Sequence, residues 1–533
     1  MRNGSLKCAT LAITGILAYA SLAPLAGQVA AEELTIGARV APSNLDPQMS
    51  ALGSDLGYYH HIYEPLFEIG ELSDLSPALA ESYKLIDNNT WEMKLHQGVT
   101  FHDGSAFDAE DVIFTLNRLR TQELPGNDGL VKEMLGPVVS IEAVDSHTLK
   151  IVTSEPTPDL LNRLSEFSIL SSAIGVSATT EDFNTGKAAI GTGPFKLVKW
   201  DRGEKLVLER FDDYWQGPAE FSTVTFKGMS NDPARIAALL AGDVDIIDYV
   251  PPLDAARLRN EGGVEVFTAP SGRVIFLQVD AVDDTVAQLT DKAGQPLVGK
   301  NPLEDLRVRK ALKLSISQDL IVTKIMDNLA FKATQGIPEG FGGYDPDIPL
   351  PSYDPEKAKA LLAEAGYPKG FGLTLSCPND RYVNDALICQ GVGQMWSKIG
   401  IDTKIDTMPK SVYFKKLREN AFSAFMLGWG NDAGNSISLL SSVIETRDDD
   451  KGRGSWNASF SNPDLDKMID NAIIQMDEET RNKALAEAMA MAIEEVALIP
   501  LHAQAVIVAA KNGLSYTPRA NEQLLAYFVR QAK

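Results

Sequence analysis

The chain has 533 residues, of which 44% are hydrophobic and 23% charged, and its formal net charge is -23. This composition is typical of a globular protein with two or three domains. The excess of acids repels phosphate backbones and anionic lipid headgroups, so nucleic acid and membrane surfaces are excluded as expected partners. The same charge could favour cationic ligands by electrostatic steering, although solubility is its commoner meaning.

Residues 1–31 have the order of features that defines a secretory signal peptide. Arg2 and Lys7 supply positive charge, residues 9–25 form an apolar stretch, and small residues at 29–31 provide a cleavage site. Glycine, serine and proline interrupt the apolar stretch, which makes it a poor membrane-spanning helix. We therefore expect cleavage and release into the periplasm or another exported compartment. The alternative is an uncleaved anchor.

After this segment, short strands alternate with amphipathic helices, and this alternation predicts an α/β fold. Apolar residues at 91, 93 and 95 alternate with charged ones, which predicts a half-buried strand, and Asp108 then precedes a helix. Further helices are predicted to begin at Asp232-Pro233, Asp354-Pro355 and Asn462-Pro463, because a capping residue followed by proline is a start signal.

The helix predicted after Asp232 has a periodic apolar stripe. Ile236, Leu239 and Leu240 are expected to be its buried residues. Gly242 is expected to end this helix, and residues 244–249 are predicted to form the next strand.

Two cysteines, Cys377 and Cys389, remain once the signal peptide is removed. The first ends a predicted strand and the second lies in a predicted helix. In an oxidising compartment, two cysteines close in sequence favour a disulfide, while the alternative is a pair of free buried thiols. Their spacing fits neither a zinc site nor a thioredoxin-type motif.

The sequence lacks the marks of common hydrolases and nucleotide enzymes. It contains no Gly-x-Ser-x-Gly, no His-Glu-x-x-His and no Gly-x-x-x-x-Gly-Lys-Ser/Thr. We therefore expect a protein without catalytic residues, cofactor or metal. An exported hydrolase without recognisable motifs is the alternative.

A set of short motifs occurs in order along the whole mature chain. The most specific lies at 91–119, where Gly98, Phe101, His102-Asp103-Gly104 and Asp111 stand at characteristic spacing. The others lie at 44–47, 63–67, 77–83, 191–195, 213–215, 306–312 and 353–358. Together they resemble the peptide-binding family of ABC-transporter periplasmic solute-binding proteins, which includes dipeptide-, oligopeptide- and nickel-type receptors.

This resemblance implies a two-lobed α/β fold with hinge strands and an extra domain inserted in the first lobe. The lobes would close over a ligand by bending at the hinge strands, near 275–279 and 499–501. The implied division is lobe I at 32–66, 188–280 and 501–533, the inserted domain at 67–187, and lobe II at 281–500.

The resemblance also implies a function. The protein would capture a peptide or similar small polar solute and, as a monomer, deliver it to an ABC permease dimer with a cytoplasmic ATPase. Ligand alternatives within the family are a nickel chelate, an opine, a sugar or another amine. A sensing protein without uptake is a further alternative.

One candidate for the ligand contact is a glycine-rich stretch that follows an apolar strand. By the resemblance, Asp432, three residues after Trp429, would hold a ligand amine, with Gly430 and Asn431 beside it. The alternative for Asp432 is an Asx turn, and Trp429 either packs on the ligand or seals the lobe core. Family members often have an acid-proline pair shortly afterwards, but Asn435-Ser436 stand here, so dipeptide specificity is not implied.

Arg381 occupies the approximate place of a carboxylate-binding arginine in the dipeptide receptors. Its planar two-pronged donor set suits a carboxylate. The alternative is an ion pair with Asp380 or Asp385. Ser43, after the first strand, is the candidate from the opposite wall.

Overall fold

The structure is a computed structural model that describes Met1 and residues 33–50, 52–71, 73–121, 135–282, 288–431, 434–457 and 460–532. Apart from Met1, the predicted signal peptide lies outside these described residues. Within the described ranges, no helix combines the length and the apolar character that crossing a membrane requires.

The strands, numbered along the chain, are β1 (Glu33–Ala38), β2 (Phe67–Ile69), β3 (Leu75–Pro77), β4 (Ala80–Asp87), β5 (Thr90–Leu95), β6 (Val138–Asp145), β7 (Thr148–Thr153), β8 (Phe195–Asp201), β9 (Lys205–Arg210), β10 (Thr223–Gly228), β11 (Ile246–Ile247), β12 (Val264–Val279), β13 (Ala330–Phe331), β14 (Gly372–Pro378), β15 (Asp402–Met408), β16 (Ala424–Gly430), β17 (Ile499–Lys511), β18 (Leu514–Ser515) and β19 (Arg530–Gln531).

The helices are α1 (Gly53–Ile62), α2 (Ala109–Thr121), α3 (Leu160–Leu164), α4 (Thr180–Asn184), α5 (Asp232–Ala241), α6 (Pro252–Glu261), α7 (Leu306–Leu314), α8 (Gln318–Leu320), α9 (Pro355–Glu364), α10 (Asp385–Ser397), α11 (Lys410–Arg418), α12 (Ile437–Leu439), α13 (Pro463–Ile473) and α14 (Glu478–Glu494). Short 3-10 turns lie at Ser172–Ile174, Pro302–Glu304 and Ala526–Phe528, and π-helical turns at Ile321–Ile325 and Leu440–Ile444.

Most of the long strands join one mixed sheet, in the order β15-β14-β16-β12-β17-β11-β1-β10-β9-β8, with β13 beside β17. At one end β14 runs parallel to β15 and β16, and at the other end β1 runs parallel to β10 and β11. The long antiparallel pair β12 and β17 joins these two groups. We call the part with β1, β10 and β11 lobe I, and the part with β14, β15 and β16 lobe II.

A second sheet, β4-β5-β7-β6, is antiparallel and lies within the predicted inserted domain. Its strands have a core of their own, which includes Trp91, Met93, Phe101 and Leu149. Separate cores are what independent domains require. The exact domain boundaries stay a prediction.

Of the three helix starts predicted from a capping residue followed by proline, two are confirmed and one needs correction. Asp354 and Asn462 cap α9 and α13, each accepting a backbone N–H with its side chain. The cap of α5 is Asn231, not Asp232, because the Asn231 Oδ1 accepts the Ala234 N–H at 2.9 Å. The prediction that Leu240 is buried is wrong, since it is 43% exposed. It lies about 100° around the helix from Leu239, which is buried.

The two joining strands are not continuous in register. The β12 segment Val264–Pro270 pairs with residues 505–511 of β17, and pairing resumes at Val274 opposite Ala503. The ladder is therefore interrupted between Pro270 and Val274, upstream of the predicted hinge at 275–279, and its register shifts again between Ile275 and Phe276, within that hinge. A break in pairing is a place where a strand can bend.

Candidate functional site

Two site candidates from the sequence, Arg381 and Trp429, lie at one edge of the lobe II sheet, together with Lys410, which the sequence did not single out. Arg381 follows β14, Lys410 follows β15, and Trp429 lies at the end of β16. Because β14, β15 and β16 are parallel, their carboxyl ends meet at the same edge, where open α/β sheets commonly bind ligands.

Lobe I presents the corresponding edge. Arg39 follows β1, and Asp248 and Tyr249 follow β11. Val383 of lobe II and Tyr249 of lobe I line one cavity, so the two edges face each other across a cleft.

The lobe I side of this cleft contains a buried carboxylate, Glu522, whose side chain is 5% exposed. Its oxygens accept hydrogen bonds from Ser271 Oγ at 2.8 Å, Arg273 Nε at 3.0 Å, Gln504 Nε2 at 3.3 Å and Tyr249 Oη at 3.4 Å. Burial alone would raise the pKa of Glu522, but the nearby Arg273 and Arg381 charges outweigh it and the pKa is lowered. This carboxylate is therefore charged and neutralised inside the protein.

A second carboxylate, Asp248, lines the same cavity. Its Oδ1 accepts the Arg39 backbone N–H at 2.8 Å, and Arg235 lies 3.8 Å away. Burial raises the pKa of Asp248, and the positive charges of Arg235 and Arg39 only partly oppose the shift.

Two residues at this point have left-handed backbone conformations without being glycine. Tyr249 has φ of 46° and Glu522 has φ of 64°. Such conformations cost free energy and cluster at functional sites.

The lobe II side is cationic. Among the described residues, none accepts a hydrogen bond or forms an ion pair with the Arg381 guanidinium, which lies over the Tyr382 ring at 5.1 Å. The ion pairs considered from the sequence do not form: Asp385 accepts the Arg381 backbone N–H at 3.0 Å, and Asp380 accepts the Lys410 backbone N–H at 2.7 Å.

Lys410 lies beside Arg381. Burial lowers the pKa of Lys410, the Arg381 charge lowers it further, and Asp55 and Asp380 act in the opposite direction. Two neighbouring cationic side chains, neither of which forms an ion pair with a described residue, are suited to receive an anionic group.

Trp429, Gly430 and Asn431 lie where the sequence placed them, at the end of β16. The Trp429 Nε1 donates to Ser438 Oγ at 3.0 Å and its ring contacts Trp456 at 6.2 Å, as expected of a residue that seals the lobe core. Asn431 is buried and its Nδ2 donates to the Gly272 carbonyl at 3.0 Å, so it ties this loop to the interrupted part of β12.

Asp432 lies outside the described residues, so its predicted contact with a ligand amine stays a prediction. Ser43 lies on the lobe I side and its Oγ donates to Asp55 Oδ2 at 3.0 Å. Its predicted ligand contact also stays a prediction.

Cys377 and Cys389 form a disulfide, with their Cα atoms 6.7 Å apart. Both are fully buried, and the bond joins β14 to α10. The loop between them carries Arg381, so this loop is closed covalently at its base.

The sequence did not single out Glu522, Gln504, Asp248 or Tyr249. No motif surrounds them, and their contacts form between distant parts of the chain. Lys410 could have been found, because it follows a strand whose neighbours were already candidates.

The fold and its cleft define a two-lobed solute-binding protein. Residues 74–450 match the family profile described as bacterial extracellular solute-binding proteins, family 5, middle part. The chain belongs to this family, which confirms the family and the function class predicted from the motifs.

Similar proteins cover nearly the whole chain. The dipeptide-binding protein of Escherichia coli K12 is 27% identical over 80% of this chain and 81% of its own length. The heme-binding protein A of Haemophilus influenzae is 26% identical over 86% and 85%.

Among solved structures, the periplasmic binding protein DppA of Helicobacter pylori with the peptide STSA has a TM-score of 0.80 at 22% identity, over 94% of this chain and 98% of that one. AgaA of A. tumefaciens R10 with agropinic acid has a TM-score of 0.78 at 25% identity, over 94% and 99%. These similarities confirm the predicted fold class.

Proposed function

We propose that this protein is the periplasmic substrate-binding component of an ABC importer and captures a peptide or a similar small solute that carries a carboxylate. The lobes close over the ligand, and the closed form is recognised by a permease dimer with a cytoplasmic ATPase. The proposal includes the division into lobes and inserted domain given above, and a monomeric protein.

The observation that carries this proposal is the state of Arg381. Its guanidinium has neither an acid nor a carbonyl partner among the described residues, although it lies beside Lys410 in a partly buried cleft. A carboxylate between the lobes would accept two hydrogen bonds from this partly buried guanidinium. A peptide and agropinic acid, the ligands of two similar structures, both carry a carboxylate.

Membership of the family supports binding without covalent chemistry. Family members are solute-binding proteins, and the sequence shows no hydrolase motif. We propose that the ligand leaves unchanged, and incubation with a panel of peptides followed by mass spectrometry would reveal any turnover.

The first experiment is native mass spectrometry of protein purified gently from the periplasm, followed by thermal-shift screening with peptides, opines, sugars and metal chelates. A bound species with a carboxylate that raises the melting temperature is the expected result. Protein that carries no ligand, and whose melting temperature is unchanged by every class of compound in the panel, would contradict the proposal. This result would favour the sensing or enzymatic alternatives.

A variant makes this test specific to the cleft. Arg381→Ala should reduce the affinity for the carboxylate ligand roughly 30- to 1000-fold in calorimetry, because it removes a partly desolvated charge pair. Arg257→Ala is the control, since Arg257 is exposed on α6 and pairs with Asp254 and Glu261 of the same helix. Equal affinities for the two variants would exclude Arg381 as the carboxylate site.

A further inference from the structure

The two cations of lobe II lie at two neighbouring places along the cleft. In the sheet order β15-β14-β16, Arg381 follows the middle strand, whereas Lys410 follows β15 and begins α11. The Arg381 guanidinium lies over the Tyr382 ring at 5.1 Å, and the Tyr382 Oη donates to the Gly428 carbonyl of β16 at 3.3 Å. This contact places Arg381 on the β16 side of β14, while Lys410 lies on the β15 side. Neighbouring strands are about 4.8 Å apart, which is enough to separate two small polar groups of one ligand.

These two cations also face different residues of lobe I. The charge of Arg381 acts on Glu522, which is buried beside the end of β11. Lys410 lies close enough to Asp55 of α1 and to Arg39, after β1, for their charges to act on it. A ligand between the lobes therefore meets Arg381 at one position and Lys410 at another.

The acids near Lys410 form their hydrogen bonds with neutral groups. Asp380 Oδ1 accepts the Lys410 backbone N–H at 2.7 Å, and Asp55 Oδ2 accepts the Ser43 hydroxyl at 3.0 Å. No carboxylate of the described chain lies within ion-pair distance of the half-buried Lys410 ammonium. Asp55 and Asp380 offset part of its charge from farther away, but its N–H donors remain available.

The surroundings of Lys410 favour a negative group over a neutral one. Burial lowers the pKa of Lys410, and the positive charge of Arg381 lowers it further, so the protonated lysine is destabilised while no anion contacts it. An anion beside the ammonium offsets both effects. The net charge of -23 opposes the approach of anions at long range, but salt screens exposed charges that are more than about 10 Å apart. The affinity is therefore decided by the groups inside the cleft.

We propose that Lys410 binds a second carboxylate of the ligand, so that the protein prefers a solute with two acidic groups, such as a peptide with a glutamate side chain. Arg381 binds the first carboxylate on the β16 side, and the Lys410 ammonium donates to the second on the β15 side. This inference rests on the proposed function, since both carboxylates belong to the same ligand. It adds a preference for acidic over neutral side chains.

The test compares two dipeptides, alanyl-glutamate and alanyl-glutamine, which have the same shape and differ in the charge of the side chain. In calorimetry the wild-type protein should bind alanyl-glutamate at least about tenfold more tightly. Lys410→Met should abolish this preference and leave the affinity for alanyl-glutamine nearly unchanged. Lys410→Arg should retain the preference, and Lys410→Glu should reverse it. Lys467→Met is the matched control, because Lys467 is exposed on α13 and pairs with Asp464 of the same helix.

The same comparison distinguishes ligand binding from a structural role of Lys410. The structural alternative is a direct ion pair between Lys410 and Asp55 in the ligand-bound protein, which would hold the lobes together. In that case Lys410→Met would weaken both dipeptides by the same factor, and the second carboxylate site would be overturned. A loss confined to alanyl-glutamate is the result expected of a ligand contact.

The outcomes also separate this inference from the proposed function. Equal affinities of the wild type for the two dipeptides, or a preference that survives in Lys410→Met, would overturn the second site, while binding that depends on Arg381 would leave the proposed function in place. If neither dipeptide binds but glutarate, which carries two carboxylates, raises the melting temperature in a Lys410-dependent way, the second site stands and the peptide ligand fails. If none of the three probes binds, both fail.

Discussion

The two faces of the cleft handle their charges in opposite ways. On the lobe I face, Glu522 is surrounded by donors from β12, β17 and the segment after β11, and its charge is neutralised within the protein. On the lobe II face, Arg381 and Lys410 form no ion pair with any described residue. The Arg381 charge helps to lower the pKa of Glu522 across the cleft, but no described carboxylate lies within ion-pair distance of Arg381.

This difference indicates a division of labour between stability and binding. A buried ion pair with all its hydrogen bonds holds together the segments that supply it, and removal of one partner destabilises the fold. A partly buried cation that forms no ion pair contributes nothing comparable to the stability of the fold, because its desolvation cost is offset only when an anion binds. The lobe I face is thus part of the folded core, and the lobe II face is available to the ligand.

The largest expected effect is a loss of folding stability when Glu522 is substituted. Glu522→Gln leaves the Arg273 guanidinium buried without its counter-charge, so it should lower the free energy of unfolding by roughly 3–5 kcal/mol. Urea denaturation at neutral pH measures this loss. Glu356→Gln, which removes the exposed Lys359–Glu356 pair, is the control and should cost less than about 1 kcal/mol. Similar losses for the two variants would show that Glu522 is not a structural charge.

A second effect tests whether an acid belongs to the otherwise cationic lobe II face. Asp432→Ala should weaken an amine-bearing ligand by roughly 2–4 kcal/mol, because a charge-assisted bond is lost in a closed cleft, and should leave the fold intact. Calorimetry with the ligand and with its N-acetyl derivative measures the change. The loss should vanish for the acetylated form, and an unchanged affinity for the free amine would exclude this role.

Removal of the disulfide tests what holds the Arg381 loop of the lobe II face in place. Replacement of both Cys377 and Cys389 by alanine should lower the free energy of unfolding by about 2–3 kcal/mol, because the short loop gains freedom in the unfolded chain. Affinity should also fall, since Arg381 lies on that loop and must then be ordered on binding. Denaturation and calorimetry on the same preparation measure both. A stable variant with unchanged affinity would show that the loop is held by packing alone.

The features that the sequence revealed are local, and those that it concealed are contacts between distant residues. The caps at Asp354 and Asn462 and the strand after Thr90 depend on a few neighbouring residues, so their signals were readable. Glu522 and Arg273 are 249 positions apart, and no sequence pattern near either residue predicts that the two form a pair. Arg381 was found only because a motif resemblance located it. The state of its guanidinium depends on which acids fold close to it, and sequence does not give that.

The smallest expected effect is on the pH dependence of stability. Asp248 and Glu522, the two carboxylates that line the cavity, should contribute to it with opposite signs, because their pKa values shift in opposite directions. The pKa of Asp248 is raised, so the folded state holds its proton more tightly than the unfolded chain, and this contribution to stability is lost as pH rises above ~4. The pKa of Glu522 is lowered, so its contribution is present at neutral pH and is lost as pH falls below ~4. Asp248→Asn keeps the acceptor for the Arg39 N–H. It should therefore gain stability relative to the wild type as pH rises above ~4, whereas the stability deficit of Glu522→Gln should shrink as pH falls below ~4. Thermal unfolding at several pH values measures both slopes. Slopes of the same sign would show that the two carboxylates are balanced alike, and the contrast between a complete and an incomplete charge within this cavity would not hold.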